Sequence, residues 1–276
     1  MKISFIIPTY KSSKDLKAYL DSFCRYSNPE NIFFYIIDTS QDKELHRIEQ
    51  EYAKTINIEK HFIENRGYAF ACNYGCEHAV ESSIYVFSNP DIIFTSNIIE
   101  RIQEEFDENT YGTVIQKNRL MKNCTFNLYP QCRNIVTEVL FFHKFLNWVN
   151  WYDPRFITIG GAFMILGRNV IKEYGLFDDN YFLYYEENDY FYRLRRTRNF
   201  KIIWDTYIIH NTSSSVDKNL AMNRFKIQAD SLYYYSKKFN DFSYFKNLIM
   251  LYRISSVFIR RHKQKLNFLR EKEINA

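Results

Sequence analysis

Short apolar runs, each closed by a residue that turns the chain and each followed by a helical pattern, punctuate the first third of the sequence and leave few folds open to it. Residues 2–8 (KISFIIP) stop at a proline, Ser12 and Ser13 follow as a helix cap, and Leu16, Leu20 and Phe23 fall at helical spacing. Residues 31–38 (NIFFYIID) form a second buried-strand pattern, 42–52 a polar-faced helix, 56–63 a third strand and 68–80 a helix. Residues 83–88 (SIYVFS) make a fourth strand that ends at Asn89-Pro90-Asp91, after which 96–106 read as helical and 112–116 as extended. Parallel strands separated by helices need right-handed crossovers, so the expectation is an α/β protein with a mostly parallel central sheet covered on both faces. Sheets of this kind bind ligands at the carboxyl ends of their strands.

Those ends are polar. The first strand runs into Pro8-Thr9-Tyr10, the second into Asp38-Thr39-Ser40 and the fourth into Asn89-Pro90-Asp91. One carboxylate after a strand is ordinarily a turn or a helix cap; several brought to one edge by topology make a candidate site. No G-x-G-x-x-G follows the first strand and no G-x-x-x-x-G-K-[ST] occurs, so dinucleotide and P-loop readings lose their main support. The length suits one large domain or one domain with an appendage, and the 46% hydrophobic content is ample for a core and excludes disorder as the main state. Five cysteines, an odd number without a C-x-x-C pair, point to free buried thiols and away from a disulfide framework or zinc. No apolar run approaches the roughly 18 residues of a membrane span, and the opening run is broken by Pro8, so a cytoplasmic protein is expected.

Beyond these patterns, the runs 4–10 (SFIIPTY), 64–73 (ENRGYAFACN), 88–91 (SNPD), 160–166 (GGAFMIL), 175–178 (GLFD), 184–194 (YYEENDYFYRL) and 210–214 (HNTSS), together with Asp38, occur in an order that resembles family 2 glycosyltransferases. The likeness spans roughly residues 3–215 and is nearest to bacterial rhamnosyltransferases of O-antigen and capsular polysaccharide synthesis. It implies a GT-A fold over residues 1–215, a nucleotide-sugar donor, a divalent cation (Mg2+ or Mn2+) and inversion at the anomeric carbon.

The resemblance assigns roles residue by residue. Asp91 stands where the last acid of the family's D-x-D falls, with Asn89 in place of the first, and becomes the metal ligand; His210 is placed to complete the metal site or touch the diphosphate. A cation there would neutralise the charge of the leaving diphosphate, and hard divalent ions accept carboxylate, phosphate and water oxygens. Asp38 matches the acid that binds base or ribose, with Pro8, Thr9, Tyr10 and Ser40 shaping the pocket, although the stretch from Thr39 to Asp42 is shorter than the family pattern. Asn65, Arg66, Gly67 and Asn73 belong to the loop and helix start beside the nucleotide, where Arg66 meets either phosphate or solvent. Inversion needs a base for the acceptor hydroxyl. The family's second acid of E-D-x-D lands on Glu187, a departure from Asp that leaves Glu186 as the substitute. Asp189 and Arg193, four apart, are expected to pair on one helix face. Trp151, Asp153, Gly160 and Gly161 fall on the acceptor side, where small residues permit close approach.

The formal charge of +5 is unevenly placed: residues 218–276 hold 13 Lys/Arg against 4 Asp/Glu, a net +9, so residues 1–217 carry −4. Two helices, 218–239 and 242–261, interleave Leu232, Tyr235, Phe239, Phe245, Leu248, Leu251, Tyr252 and Phe258 with lysines and arginines. A basic amphipathic region over 216–276 suits a membrane surface with anionic lipid, unless its apolar positions pack on the body or form an oligomer contact. The expected protein is thus peripheral to the inner face of the cell membrane. It takes dTDP-β-L-rhamnose as donor and a polyprenyl-diphosphate-linked saccharide as acceptor. Nucleic acid is not an expected partner, since no nucleic-acid motif accompanies the charge. Another UDP- or dTDP-sugar donor, or a catalytically idle GT-A scaffold that binds a glycan or a partner enzyme, are the competing readings.

Overall fold

Alternation of side chains along the first strand sets up two helix layers. In β1 (Ile3–Thr9) every residue is buried; Ile3, Phe5 and Ile7 face one core, and Ile6 faces the other. The first core receives Leu16, Tyr19, Leu20 and Phe23 of α1 (Ser13–Tyr26). It also takes Leu45 and Ile48 of α2 (Lys43–Tyr52), which follows β2 (Ile32–Asp38). Phe5, Phe23 and Phe34 pack there with centroids 4.8–5.9 Å apart, and burial of each such ring contributes roughly 1.5–3 kcal/mol. The computed structural model describes residues 1–197, 199–211, 218–257 and 259–274, without the side chains of residues 218–221, 260, 261 and 274.

β3 (Asn57–Phe62) forms the half-exposed edge beside β2. After it, α3 (Tyr68–His78) covers the second face with Ala69, Ala71 and Cys72. β4 (Ile84–Ser88), β5 (Ile92–Phe94), α4 (Ile98–Glu105) and β6 (Tyr111–Asn118) follow. A two-stranded ribbon of β7 (Phe126–Leu128) and β8 (Ile157–Ile159) brackets a 3-10 turn at Pro130–Cys132 and two short helices, α5 (Ile135–Val139) and α6 (Phe142–Trp148). β9 (Phe163–Gly167), α7 (Arg168–Tyr174), α8 (Glu186–Leu194) and β10 (Phe200–His210) complete the sheet region. The eight-stranded sheet has the order β3-β2-β1-β4-β9-β6-β10-β5.

Two strands depart from the parallel expectation. β9 is antiparallel to β4 and β6, and β5 is antiparallel to β10. Both departures feed the site. Because β9 runs backwards, its first residue, Phe163, pairs with the last of β4, Ser88, which brings Gly160 and Gly161 to the edge where Asn89 and Asp91 sit. Because β5 runs backwards, Ile92 pairs with His210, so Asp91 and His210 become neighbours. Parallel register aligns Thr9 with Asp38 at the same edge.

Among the described residues the C-terminal region is three helices where the sequence suggests two. α9 (Lys218–Lys238) is followed by α10 (Ser243–Ser255) and α11 (Arg260–Ile274), so the expected 242–261 helix ends early. Leu232, Tyr235 and Phe245, offered to lipid by the amphipathic pattern, are buried against Tyr181 and Tyr185 in a third core. For these side chains the packing alternative holds. Thr212, Ser213 and Ser214 of the histidine motif, the 215/216 boundary and Phe258 lie outside the described residues. Among the described residues no helix is long and apolar enough to cross a membrane. Of the cysteines only Cys72 is buried, and Cys24 is exposed, which corrects the expectation of uniformly buried thiols. Ser12 occupies the N-cap of α1, but its hydroxyl donates to Tyr10 O at 2.9 Å and caps no helix N–H.

Candidate active site

A cleft of about 360 Å³ opens at the carboxyl ends of β1 and β2. Pro8, Thr9, Tyr10, Asn65 and Gly67, five of the expected donor residues, line it, and Tyr68, Phe182 and Leu183 close its far wall. Gly67 is what allows that wall to approach. Its φ is +108°, and a Cβ on it would stand 2.3 Å from Phe182 O, whose carbonyl accepts from Tyr68 N at 2.8 Å. Asn65 Oδ1 accepts from Gly67 N at 3.2 Å and holds the turn.

The buried Asp38 carboxylate shapes the rim. Oδ1 accepts from Ser40 N and Oγ at 2.9 and 3.1 Å, and Oδ2 accepts from Asp42 N at 3.0 Å. Asn73 lies outside the cleft lining. Its side-chain amide donates to Phe177 O at 2.8 Å and accepts from Phe177 N at 3.0 Å, which fixes the loop leading to Phe182. The exposed Arg66 guanidinium stacks 3.8 Å over the Phe70 ring.

At the end of β4, Asn89 N donates to Ala162 O at 2.9 Å, tying the acidic turn to the Gly160-Gly161 segment. Asp91 Oδ1 is buried, has no hydrogen-bond donor among the described residues, and faces His210 Nε2 at 3.4 Å. Burial works against charge on His210, but Asp91 and the Cys124 thiol outweigh it and raise the imidazole to about 9. An orphaned carboxylate oxygen beside an imidazole fits a divalent cation such as Mn2+, provided the ring gives up its proton. Among the described residues no group of three or more acidic, histidine or cysteine side chains is assembled to hold a metal, so further ligands would come from a bound diphosphate and water. Two residues the motifs did not single out attend this corner. Burial and the Asp91 charge raise the Asp15 carboxyl, while Arg119 opposes the rise; the Arg119 guanidinium also donates to Asn211 Oδ1.

The acidic helix start meets the glycines. Tyr184 and Tyr185 both adopt left-handed backbone, with φ of 70° and 69°, and deliver Glu186 and Glu187 to the first turn of α8. Such non-glycine conformations cost on the order of 1 kcal/mol or more each and persist where surrounding packing enforces them. Glu187 passes against Gly161, where a Cβ would stand 3.4 Å from Glu187 Cβ and Cγ and 3.6 Å from Cδ. Burial raises the Glu187 carboxyl to about 7, even though backbone N–H groups of its own turn favour its ionised form. Glu186 is more deeply buried, its Oε2 has no partner among the described residues, and burial followed by the Glu187 charge drives its carboxyl well above the usual range. Two neighbouring acids thus sit with displaced proton affinities, a condition suited to proton transfer near neutral pH.

Tyr68 connects the two halves of the site. It lines the cleft, donates to Gly161 O at 3.4 Å, and senses both Glu186 and Glu187. Behind α8, Asp189 pairs with Arg193 Nε at 2.9 Å, as their spacing suggests, and also accepts from Tyr181 OH at 3.1 Å. Gly160 N donates to Thr125 O at 2.7 Å and Gly160 O accepts from Gln116 Nε2 at 3.0 Å, so the glycine turn is fixed. Of the residues expected on the acceptor side, Trp151 is exposed, whereas both Asp153 oxygens take the Arg155 guanidinium at 2.6–3.1 Å, which holds the Asp153 carboxyl low.

The family model described as Glycosyl transferase family 2 matches residues 4–175. A low-salt glycan biosynthesis hexosyltransferase of Haloferax volcanii, Agl10, is 23% identical over 201 residues, covering 70% of this chain and 62% of that relative. The chain therefore spans less than two thirds of that curated protein's length. S. aureus TarS 1-349 in complex with UDP has a TM-score of 0.57 at 15% identity, covering 100% of this chain and 88% of the other. The mannosyltransferase PcManGT from Pyrobaculum calidifontis, in complex with GDP-Man and Mn2+, has a TM-score of 0.59 at 13% identity, covering 98% of this chain and 73% of the other. Both are likenesses of fold, and the shared fold is GT-A.

Proposed function

The chain belongs to glycosyl transferase family 2, and from that premise we propose that it is an inverting glycosyltransferase in which Glu187 is the base. The observation that carries this reading is the approach of Glu187 to Gly161, whose carbonyl accepts from the cleft-lining Tyr68, with the Glu187 carboxyl raised to about 7. In this reading Glu187 takes the proton of the acceptor hydroxyl as that oxygen bonds to the anomeric carbon. The bond from that carbon to the diphosphate oxygen breaks on the opposite face, and its electron pair leaves with the nucleotide. The Glu186 carboxyl, held neutral by burial beside it, keeps charge from accumulating next to the base and is the reserve candidate.

The nucleoside sits in the cleft between Pro8, Thr9, Tyr10 and Asn65, over the turn that Asp38 and Ser40 build. Asp91 and His210 would hold a divalent cation, which supplies charge neutralisation to the leaving diphosphate when bound. The Mn2+ named with one structural neighbour supports this choice. Trp151, Asp153, Gly160 and Gly161 form the acceptor side. Residues 1–215 make up the transferase domain and 216–276 an accessory helical region at the inner face of the cell membrane.

The donor proposed is dTDP-β-L-rhamnose and the acceptor a polyprenyl-diphosphate-linked saccharide of cell-surface polysaccharide; the support for both is the motif pattern, including Asn89 before Asp91. A UDP- or GDP-activated hexose is the second reading, favoured by the nucleotides named with the neighbouring structures. Incubation of purified protein with a panel of nucleotide sugars, with and without Mn2+, tests the proposal. Hydrolysis or transfer confined to dTDP-rhamnose is expected. Turnover of a UDP- or GDP-sugar instead rejects the donor assignment, and no turnover of any donor rejects the enzyme in favour of a binding scaffold.

A further inference from the structure

The two short helices α5 and α6 form a hairpin whose outward side is apolar. α5 buries none of its residues and α6 only Leu146 and Asn147. Val139, Leu140, Phe141, Phe142, Phe145 and Trp148 are all exposed, Leu140 by 68% and Trp148 by 79%. The turn between the helices is Leu140-Phe141, with Phe142 opening α6, and Phe141 adopts left-handed backbone with φ 49° and ψ 44°. Stability of the water-exposed turn would favour Asn or Gly there. A phenylalanine at that position costs backbone energy, and its ring is left 55% exposed, with the Lys144 ammonium 4.1 Å from its centroid as a neighbour.

The hairpin is nonetheless firmly built. Asn134 and Thr137 make a reciprocal capping box, and Arg133 Nε donates to Glu138 Oε1 at 2.8 Å. Asn147 fastens α6 to β7, accepting from Phe126 N at 2.9 Å and donating to Phe126 O and His143 O at 2.7 Å. A fixed frame presenting large apolar groups outward is a docking surface.

The charges nearby choose the occupant. α10 packs beside α5 and exposes Met250 and Ile254 along one face together with the cations Lys246 and Arg253, with exposed Val257 just beyond its end; Lys144 is exposed on α6 itself. Apolar and aromatic groups rimmed by lysine and arginine match the headgroup and upper acyl region of an anionic bilayer. A two-fold contact with a second copy would set those like charges against each other. Insertion at the surface is also the mode open to these elements, since no described helix can cross a bilayer.

We propose that the α5–α6 hairpin, with its Leu140-Phe141-Phe142 tip, inserts into the surface of an anionic phospholipid membrane and that α10 lies beside it on the headgroups. The basic C-terminal helices then supply attraction, and the hairpin supplies the apolar anchor that their own buried aromatic residues do not. The proposal rests on the functional reading only for the presence of a membrane-borne acceptor.

The test is sedimentation of the full chain with phosphatidylcholine vesicles, with and without phosphatidylglycerol. Binding to the anionic vesicles is expected, with a blue shift of fluorescence that Trp148→Phe removes. The double variant Leu140→Ser/Phe142→Ser should lower partitioning roughly tenfold or more. Phe141→Asn should weaken partitioning while its melting temperature stays level or rises, a separation that a folding role for Phe141 does not give. Wild-type protein that ignores anionic vesicles, or a double variant that binds them unchanged, overturns the proposal. So does a double variant whose sole defect is loss of a dimer in light scattering. Donor hydrolysis without vesicles should be the same in wild type and variants; its absence in all of them, with vesicle binding intact, would count against the enzyme and not against the anchor.

Discussion

The Lys238 ammonium in α9 lies 2.5 Å from Oδ2 of the fully buried Asp189 in α8. The C-terminal helices and the helix carrying Glu186 and Glu187 are therefore joined through one carboxylate. Lys238 also reaches Asp178 Oδ2 at 2.7 Å, within the loop whose Phe182 and Leu183 line the cleft. Placement of the acids thus depends on a residue far along the chain.

Lys238→Met is expected to lower unfolding stability by about 1–3 kcal/mol, because Asp189 keeps Arg193 and Tyr181 but loses a charge partner. Urea unfolding measures this, and Lys238→Arg should recover part of the loss. Burial acts to raise Asp178, yet hydrogen bonds from Lys238, Asn180 and Tyr234 prevail and hold it at about 2, below its ordinary 3.8. A carboxyl depressed in the folded state stabilises the fold above its unfolded value, and this contribution fades as pH falls from 3.8 toward about 2. The variant should accordingly show a weaker acid limb of stability across that window.

Glu187→Gln should cut turnover roughly 100- to 10,000-fold while leaving donor binding in place. A base must be deprotonated, so wild-type turnover should rise as pH passes through about 7. Stability runs the other way. A carboxyl raised above its ordinary 4.5 holds its proton more tightly in the folded protein, so stability is greatest below that value and declines as pH climbs through about 7. Glu187→Gln removes the decline, and thermal melts above pH 7 should find the variant more stable than wild type. If Glu187→Gln keeps near-normal turnover while Glu186→Gln is inactive, the base is Glu186.

Much of this was legible in the sequence, for physical reasons that also mark where legibility stops. β1, β2 and β4 are nearly continuous apolar runs closed by Pro8, Asp38 and Asn89, so strand class and ligand edge follow directly. β5, β7 and β8 have three residues each, too few for a period to show. The direction of β9 depends on pairing with β4, which no local pattern carries. Val257 and Ile259 prolong the apolar periodicity through the break between α10 and α11 and hide it. The hairpin of α5 and α6 defeats pattern reading differently, because that reasoning takes apolar side chains to be inside and here they are not. Within the site, motif order singles out Glu186, Glu187 and Asp91, but the bridging position of Tyr68 and the arrival of Lys238 depend on tertiary packing.

Asp91→Ala should lower turnover roughly 100-fold or more and abolish any stimulation by Mn2+. His210→Ala should weaken apparent cation affinity with a smaller loss at saturating metal, since the carboxylate remains. Donor hydrolysis titrated with Mn2+ separates the two outcomes. Activity that survives both a chelator and Asp91→Ala would exclude the metal-assisted mechanism.

The cleft wall offers a test that needs no assumption about the metal or about which acid is the base. Gly67 combines a φ of +108° with backbone contact, since an added Cβ would lie 2.3 Å from Phe182 O and 2.7 Å from Phe182 Cα. Neither atom belongs to a flexible side chain, so relief requires the 182–183 segment to retreat. That retreat would break the Tyr68 N to Phe182 O hydrogen bond and loosen Tyr68, which reaches Gly161 on its other side. Gly67→Ala should therefore cost about 2–4 kcal/mol of stability and raise the donor KM by widening the cleft. Gly175→Ala is the matched control: φ is +75°, but nothing lies within 4 Å of the added Cβ, so conformational strain acts there without collision. It should cost about 1–3 kcal/mol and leave the KM unchanged. Equal losses of stability and affinity at the two glycines would mean that strain, and not the approach of Phe182, is what Gly67 accommodates.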